Sequence, residues 1–322
     1  APRPTVDGDF RHRGRSPLLR EFCHMLVTRV LAALAAASQL GALSCALGHA
    51  QSADSSGDKT SSEQRPSLTE PLGDIATPVD DYVTPDMVAR KAFLPPPDAK
   101  PLTPSNLWVD RKQRRVYLDG YVAMREGPLE MFACPMGTKE HESVIGTLAK
   151  ASEVHAALLA IDATPGKPVQ FLPEFVPATG QRIRVWVCWR DGEGKFHVSD
   201  ARRWVQKTGT KESMTSEWVF AGSGFWEDPS DGRKYYRADS GDMICVSNFS
   251  TAMLDINVAS SAAADRLMFS PFTDRIPERF TPTRLVLVPI PDKEDQAAKS
   301  KVDPNRPPSA KVLTKKNSKV GQ

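Results

Sequence analysis

The sequence predicts an α+β domain with mainly antiparallel sheet, one principal helix and disordered N- and C-terminal flanks. Three observations indicate this class. Most apolar runs between residues 105 and 291 are short and alternate with polar residues, which is typical of strands. The stretch 144–161 instead repeats apolar residues at helical spacing. The 27 prolines of the 322-residue chain are densest outside this middle part, which favours disordered flanks.

Residues 1–50 are predicted to be an upstream extension followed by a secretory signal peptide. Met25 and Arg29 precede an apolar run over 30–43, and Gly48-His-Ala50 has the small residues expected at a cleavage site. The apolar run is short for a membrane span. We therefore expect a periplasmic or secreted protein with no membrane span after signal cleavage. The sequence leaves open whether Cys45 is lipidated.

The segments that flank the predicted domain differ from it in composition and charge. Residues 51–104 are rich in Ser, Asp and Pro and are predicted to be a disordered linker, with a turn of helix near residues 85–90. Residues 292–322 are predicted to be a disordered basic tail. Residues 51–295 contain 29 basic and 35 acidic residues, so the domain is acidic although the whole chain has a net charge of +3. This balance argues against nucleic acid as a partner.

The first half of the domain predicts a hairpin and then a helix. Residues 115–124 and 129–133 read as two strands joined by the turn Arg125-Glu-Gly-Pro128. Thr138 is predicted to cap the following helix, because its hydroxyl can accept a backbone N–H of the first turn. That helix is expected to run to about Ile161.

The second half of the domain predicts strands. Ile183, Val185 and Val187 alternate with polar or aromatic residues, and Asp191-Gly-Glu-Gly194 follows as a hairpin turn. Residues 195–199 are predicted to pair back on this strand, and residues 222–226 and 234–237 to form a second hairpin around the turn 229–232. The other predicted strands cover residues 217–221, 242–248, 254–258 and 284–289.

Several separated motifs resemble the YdjY-like domain family of bacterial exported proteins. They are Cys134-Pro-Met-Gly-Thr-Lys-Glu-His-Glu-Ser143, Val185-Trp-Val-Cys-Trp189, Trp218-Val-Phe-Ala-Gly-Ser223 and Gly241-Asp-Met-Ile-Cys-Val-Ser-Asn-Phe249. The resemblance spans about 105–290, and we take 105–291 as the YdjY-like globular domain. It implies an exported domain without a characterised activity and carries over no catalytic residues. A ferredoxin-like label is sometimes attached to the family. An iron–sulfur cluster normally needs about four Cys thiolates, and only three cysteines follow the predicted signal peptide, so no cluster is predicted.

The candidate catalytic residues are Cys134, His141 and Glu142. A predicted helix N-terminus close to Cys134 would lower the pKa of its thiol, and His141 in the first turn could act as the base. This arrangement would suit a Cys/His-dependent hydrolase or transferase. The alternative is a buried structural cysteine and a surface histidine, since free Cys is among the most buried residue types.

The candidate ligand-binding residues are Asp242, Ser247, Asn248 and Asp255, which lie at the ends of apolar strands. They could line a polar pocket, or they could serve as turn and cap residues. His141, His155 and His197 could supply nitrogen ligands to a metal together with Glu142 or Asp242. No metal site is predicted, because His141 and His155 lie too far apart along a helix to share an ion. The aromatic residues of 186–236 suit core packing, and an exposed subset would suit a carbohydrate or peptide surface.

The sequence therefore favours an exported ligand- or partner-binding module of the cell envelope, with its unknown ligand or envelope partner near the Cys134–Glu142 junction. The alternative is an enzyme centred on Cys134 and His141. No cofactor is predicted. Disulfide pairing among Cys134, Cys188 and Cys245 is left open.

Overall fold

A computed structural model describes residues 83–292 and 302–314. The predicted signal peptide, Cys45 and parts of the predicted linker and tail lie outside these residues. The helices are α1 (Pro85–Ala92) and α2 (Ala151–Ala160). The strands are β1 (Lys100–Thr103), β2 (Leu107–Asp110), β3 (Arg115–Val122), β4 (Met131–Pro135), β5 (Ser143–Thr147), β6 (Arg182–Arg190), β7 (Phe196–Asp200), β8 (Val205–Lys207), β9 (Trp218–Phe220), β10 (Phe225–Glu227), β11 (Lys234–Tyr236), β12 (Ile244–Cys245), β13 (Leu254–Ile256), β14 (Phe269–Pro271) and β15 (Pro282–Pro289).

The predicted α+β class with one principal helix is wrong, because the described residues are mainly β. Eight strands form a closed sheet in the order β3-β15-β6-β9-β13-β12-β4-β5, and β5 returns to pair with β3. Two of these eight pairings are parallel, β4 with β5 and β12 with β13, and the other six are antiparallel. β2 and β1 extend the sheet from β3, and β7 pairs with β6.

The predicted helix from Thr138 to Ile161 is wrong over its first half. Residues 143–147 form β5, and the helix proper is α2. The β-branched residues Val144, Ile145 and Thr147 fit a pleated surface well. The antiparallel pairing of β5 with β3 also requires a close backbone approach. A Cβ on Gly120 would lie 2.3 Å from the Gly146 carbonyl oxygen, so the sheet closes here only because position 120 has no side chain.

Two of the three predicted hairpins are confirmed. β6 pairs antiparallel with β7 across the turn 191–194, and β10 pairs with β11. The hairpin predicted from 115–124 and 129–133 is wrong, because β5 lies between β3 and β4 and pairs with both. Local alternation identified these two strands but could not show that a later strand separates them.

The core follows the two-residue period of the long strands. Ile183, Val185 and Val187 of β6 face the main core, as predicted from their alternation, while Trp186 and Cys188 face a second cluster on the other side of the sheet. Helix α2 buries Val154, Ala157 and Leu158 against the main core.

The predicted disorder of the flanks does not hold for their described parts. Helix α1 confirms the turn of helix predicted near residues 85–90, and strand β1 follows it within 83–104. Val312 and Leu313 are buried in the second cluster. The Leu94 N–H donates to the Thr314 carbonyl at 2.8 Å, which joins the two flanks. Both flanks also bind the buried guanidinium of Arg284, which donates to the carbonyls of Leu94 and Val312.

Candidate functional site

The segment between β4 and β5 is a tight turn, with one turn of 3₁₀ helix over Glu140–Glu142. Thr138 does not cap a helix; its hydroxyl donates to the Pro135 carbonyl at 2.6 Å. Glu140 closes the turn, because its Oε2 accepts the Gly137 N–H at 2.8 Å and its Oε1 accepts the Tyr121 hydroxyl. Both carboxylate oxygens of Glu140 are therefore occupied within the fold.

Cys134 and His141 lie in opposite environments. Cys134 is completely buried, and burial raises the pKa of its thiol to about 11 despite hydrogen bonding with Ser143 and Thr138. The His141 side chain is 76% exposed, and its Nε2 lies 4.0 Å from Glu142 Oε1. Among the contacts of the described residues, none joins the Cys134 thiol to the His141 ring. This geometry argues against the Cys/His nucleophile pair, because the reactive form of cysteine is the thiolate.

Lys139 connects the turn to the start of β12. Its Nζ lies 3.0 Å from Asp242 Oδ1 and 3.7 Å from Glu142 Oε1. The ammonium also lies 4.6 Å from the centre of the Phe249 ring, which is within the range of a cation–π contact. The stem of Lys139 passes over Gly241, where a Cβ would come within 2.5 Å of its Cγ. A glycine at position 241 is therefore required for this path.

Asp242 is buried and hydrogen-bonded, while Lys139 remains partly accessible. The Asp242 side chain is 6% exposed and that of Lys139 is 27% exposed. Asp242 Oδ2 accepts the Thr251 hydroxyl, and the Asp242 carbonyl accepts the Met253 N–H at 2.9 Å. Burial alone would lower the pKa of Lys139, but the carboxylates of Asp242 and Glu142 outweigh it and raise that pKa above its usual value. Lys139 is therefore charged at neutral pH.

Carboxyl groups outnumber the single ammonium at this place. Glu130 lies beside Glu142, and its backbone N–H donates to the Glu142 carbonyl at 3.1 Å. Burial and the charge of Glu142 raise the pKa of Glu130. We call Glu130, Lys139, Glu142, Asp242, Phe249 and Thr251 the Lys139 cluster. The cluster brings together Glu142, a candidate catalytic residue, and Asp242, a candidate ligand-binding residue, at a half-buried position.

The other three predicted ligand-binding residues connect the loops behind this cluster. Asn248 Nδ2 donates to Asp255 Oδ1 and to the Ile256 carbonyl, both at 3.1 Å, and Asn248 Oδ1 accepts the Ser260 N–H at 2.7 Å. The Ser247 hydroxyl donates to the Ser261 carbonyl at 3.0 Å. Asp255 is completely buried, and burial raises its pKa to about 7. These contacts match turn and brace roles rather than an open pocket.

The histidines considered as metal ligands occupy separate places. His155 Nδ1 lies 2.7 Å from the Tyr236 hydroxyl, and burial lowers the pKa of His155 to about 4. His197 Nε2 lies 2.6 Å from Asp191 Oδ2. Within residues 83–292 and 302–314, no group of three His, Cys, Asp or Glu residues is arranged to hold a metal ion.

The structure separates buried from exposed aromatic residues in 186–236. Trp186, Trp204, Trp218 and Tyr236 are buried. Phe225, Trp226 and Tyr235 on the β10–β11 hairpin are 46–58% exposed. The Trp226 and Tyr235 rings are cross-strand neighbours with centroids 5.7 Å apart.

Comparison with known families supports the motif-based resemblance. A family profile of the YdjY domain matches residues 107–288, which is more than half of the chain. The chain belongs to the YdjY domain family. The matched range confirms the family suspected from motifs over about 105–290. No curated protein and no solved structure matched in the other two comparisons.

The YdjY domain contains the whole Lys139 cluster, which sequence reasoning only partly found. Lys139 lies inside the motif 134–143 but was not singled out, because its partners Asp242 and Phe249 are distant in sequence. One signal in the sequence could have identified it: Lys139 lies beside Glu140 and near Glu142 in a polar segment, where an ion pair is expected. Among the described residues, no helix is both long and apolar enough to cross a membrane.

Proposed function

We propose that the chain is an exported, non-catalytic binding module of the cell envelope that holds a cationic ligand at the Lys139 cluster. The ligand class is a primary amine or the basic side chains of a peptide. The signal-like form of residues 25–50 supports export to the periplasm or out of the cell. The observation that carries the binding proposal is the position of the Lys139 ammonium between two carboxylates and an aromatic ring.

Carboxylates and aromatic faces are the groups with which proteins bind ammonium ions. In this fold Lys139 occupies such a place itself. Glu130, Glu142 and Asp242 provide more negative charge than one lysine neutralises, so the cluster keeps an attraction for a second cation. Lys139 has a flexible stem and is partly exposed, whereas Asp242 is fixed by Thr251. An external ammonium can therefore replace Lys139 without a rearrangement of the backbone.

The test is calorimetric titration of the full chain with a tetralysine peptide blocked at both ends, at low ionic strength. Asp242→Asn is expected to weaken binding about tenfold or more, because a charge-assisted contact is lost. Lys139→Met is expected to strengthen binding, because the internal competitor is gone. Asp231→Asn and Lys234→Met are the controls, since both residues lie in the exposed β10–β11 hairpin.

The controls distinguish a specific site from general attraction of a cation to an acidic protein. Equal effects of Asp242→Asn and Asp231→Asn, or of Lys139→Met and Lys234→Met, would contradict the proposal. Failure of tetralysine to bind with saturation would contradict it as well.

A further inference from the structure

A cleft separate from the Lys139 cluster lies between helix α1, the β6–β7 turn and the start of β15. Its volume is about 790 Å³, within the range typical of small-molecule sites. It is lined by Val83, Met87, Val88, Lys91, Ala92, Phe93, Arg190, Asp191, Gly192, Thr281 and Pro282. None of these residues belongs to the Lys139 cluster.

Apolar side chains of helix α1 line the cleft and are exposed. Helix α1 buries Ala89 against the domain but leaves Met87 and Val88 each 43% exposed. Phe93, which is only 8% exposed, and Pro282 continue the apolar lining beyond the end of the helix. Exposed apolar side chains inside a cleft favour an apolar ligand, and methionine adapts readily to different shapes.

The cleft also carries a net positive charge, from Lys91 on helix α1 and Arg190 on β6. Arg190 donates to the carbonyls of Leu313 and Gly194, which fixes its guanidinium without neutralising it. Within the described part of the chain, neither Lys91 nor Arg190 has a carboxylate partner. Asp191 is the one acid among the lining residues, and its oxygens are occupied by the Glu193 and Lys195 N–H groups and by His197. An incoming anion therefore meets two cations whose charge is available.

We propose that this cleft binds a monoanionic amphiphile, specifically a carboxylate with a medium or long alkyl chain. The carboxylate pairs with Lys91 and Arg190, and the chain lies along Met87, Val88 and Phe93. The charge selects an anion, and the apolar wall selects against small anions that have no chain. The site is independent of the cationic ligand proposed for the Lys139 cluster.

Binding of dodecanoate to the full chain, measured by calorimetry below its critical micelle concentration, tests the proposal. Saturable binding of one dodecanoate per chain is expected, with no binding of acetate or of dodecyltrimethylammonium. Lys91→Glu is expected to weaken dodecanoate binding about tenfold or more, because a charge-assisted contact is replaced by repulsion. Val88→Asp tests the apolar wall and is expected to weaken binding similarly. Lys112→Glu, at an exposed position outside the cleft, is the matched control and should leave binding unchanged.

Three outcomes would overturn the proposal. The first is absence of saturable dodecanoate binding. The second is an equal effect of Lys91→Glu and Lys112→Glu, which would indicate attraction by overall charge. The third is binding of many molecules per chain, which would indicate adsorption to exposed apolar loops such as that of Leu172. Asp242→Asn separates the two sites, since it should weaken tetralysine binding and leave dodecanoate binding intact.

Discussion

Lys139 and Asp242 form an ion pair, with Nζ 3.0 Å from Oδ1, that fastens the β4–β5 turn to the start of β12. The pair is half-buried: the carboxylate is nearly inaccessible, and the ammonium is partly open. This asymmetry is what allows the cation to be exchanged while the acid stays in place.

The stability of the fold should depend on this pair. Lys139→Met leaves the buried Asp242 carboxylate without its counter-ion, so we expect a loss of about 1–3 kcal/mol in the free energy of unfolding. In the Lys139→Met/Asp242→Asn double variant the losses should not add, with a coupling of about 0.5 kcal/mol or more. Urea denaturation of the four proteins measures this cycle. Lys234→Met, which breaks an exposed pair with Glu227, should change stability by less than about 0.5 kcal/mol. Additive losses would mean that Lys139 and Asp242 do not interact.

The buried pair of Arg284 and Asp119 should matter more for stability. Nε and Nη2 of Arg284 donate to the two carboxylate oxygens at 2.6 and 2.9 Å, and neither side chain is exposed. Arg284→Met leaves Asp119 buried and unpaired and also frees both flanks, so a loss of about 3–5 kcal/mol is expected. Arg284→Lys should also be destabilising, because lysine lacks the planar fork. Arg233→Lys at an exposed site is the control. Wild-type stability of Arg284→Met in urea denaturation would contradict this role.

Asp255 should make stability depend on pH. Burial raises its pKa to about 7, whereas an unfolded Asp titrates near ~3.9. Between these values the folded state holds a proton that the unfolded state releases. The stabilising contribution of protonated Asp255 is therefore fully present below about pH 4 and is lost as the pH rises to about 7.

The variant Asp255→Asn isolates this effect. The stability of Asp255→Asn relative to the wild type should increase with pH across this window, by at most ~1.4 kcal/mol per pH unit. His155, whose pKa is lowered to about 4, makes stability fall as the pH falls from about 6.5 to 4, but it does so equally in both proteins. Denaturation curves at several pH values measure the difference. Parallel pH profiles for the two proteins would rule out titration of Asp255.

The Cys134 thiol should be unreactive in the native protein. It is completely buried, and its pKa is raised to about 11, so little thiolate forms at neutral pH. Iodoacetamide labelling followed by mass spectrometry should leave the Cys134 peptide unmodified until denaturant is added, while Cys134→Ser identifies its signal. Cys188 and Cys245, which are also buried and free, provide internal references. Rapid labelling of Cys134 alone in the native protein would contradict this prediction and would favour the enzyme centred on Cys134 and His141.

The sequence predicted those parts of the fold that depend on local pattern. β6, β15 and the β10–β11 hairpin have alternation and turn residues within a few positions, and the structure contains each of them. The prediction of one helix over residues 144–161 was wrong because the apolar strand β5 is followed closely by helix α2. Together their apolar residues recur at nearly helical spacing. The closure of β3 on β5 depends on partners that no local pattern identifies.

The candidate site was predicted to a similar extent. Glu142 and Asp242 were selected by residue type and position, and the structure brings them together. Lys139, which joins them, was missed because its contacts are set by tertiary packing. Cys134 was over-interpreted because its supposed helix N-terminus is a strand-to-strand turn.

The most direct test is to observe the Lys139 ammonium while a competing cation is added. Lysines of the full chain can be labelled by reductive ¹³C-methylation, and the Lys139 signal identified by its absence in Lys139→Arg. We expect tetralysine to shift the Lys139 signal towards that of an exposed lysine, with saturation at the concentration that saturates calorimetric binding. An unchanged Lys139 signal at saturating tetralysine, or a signal already at the exposed value in the free protein, would contradict the proposed site.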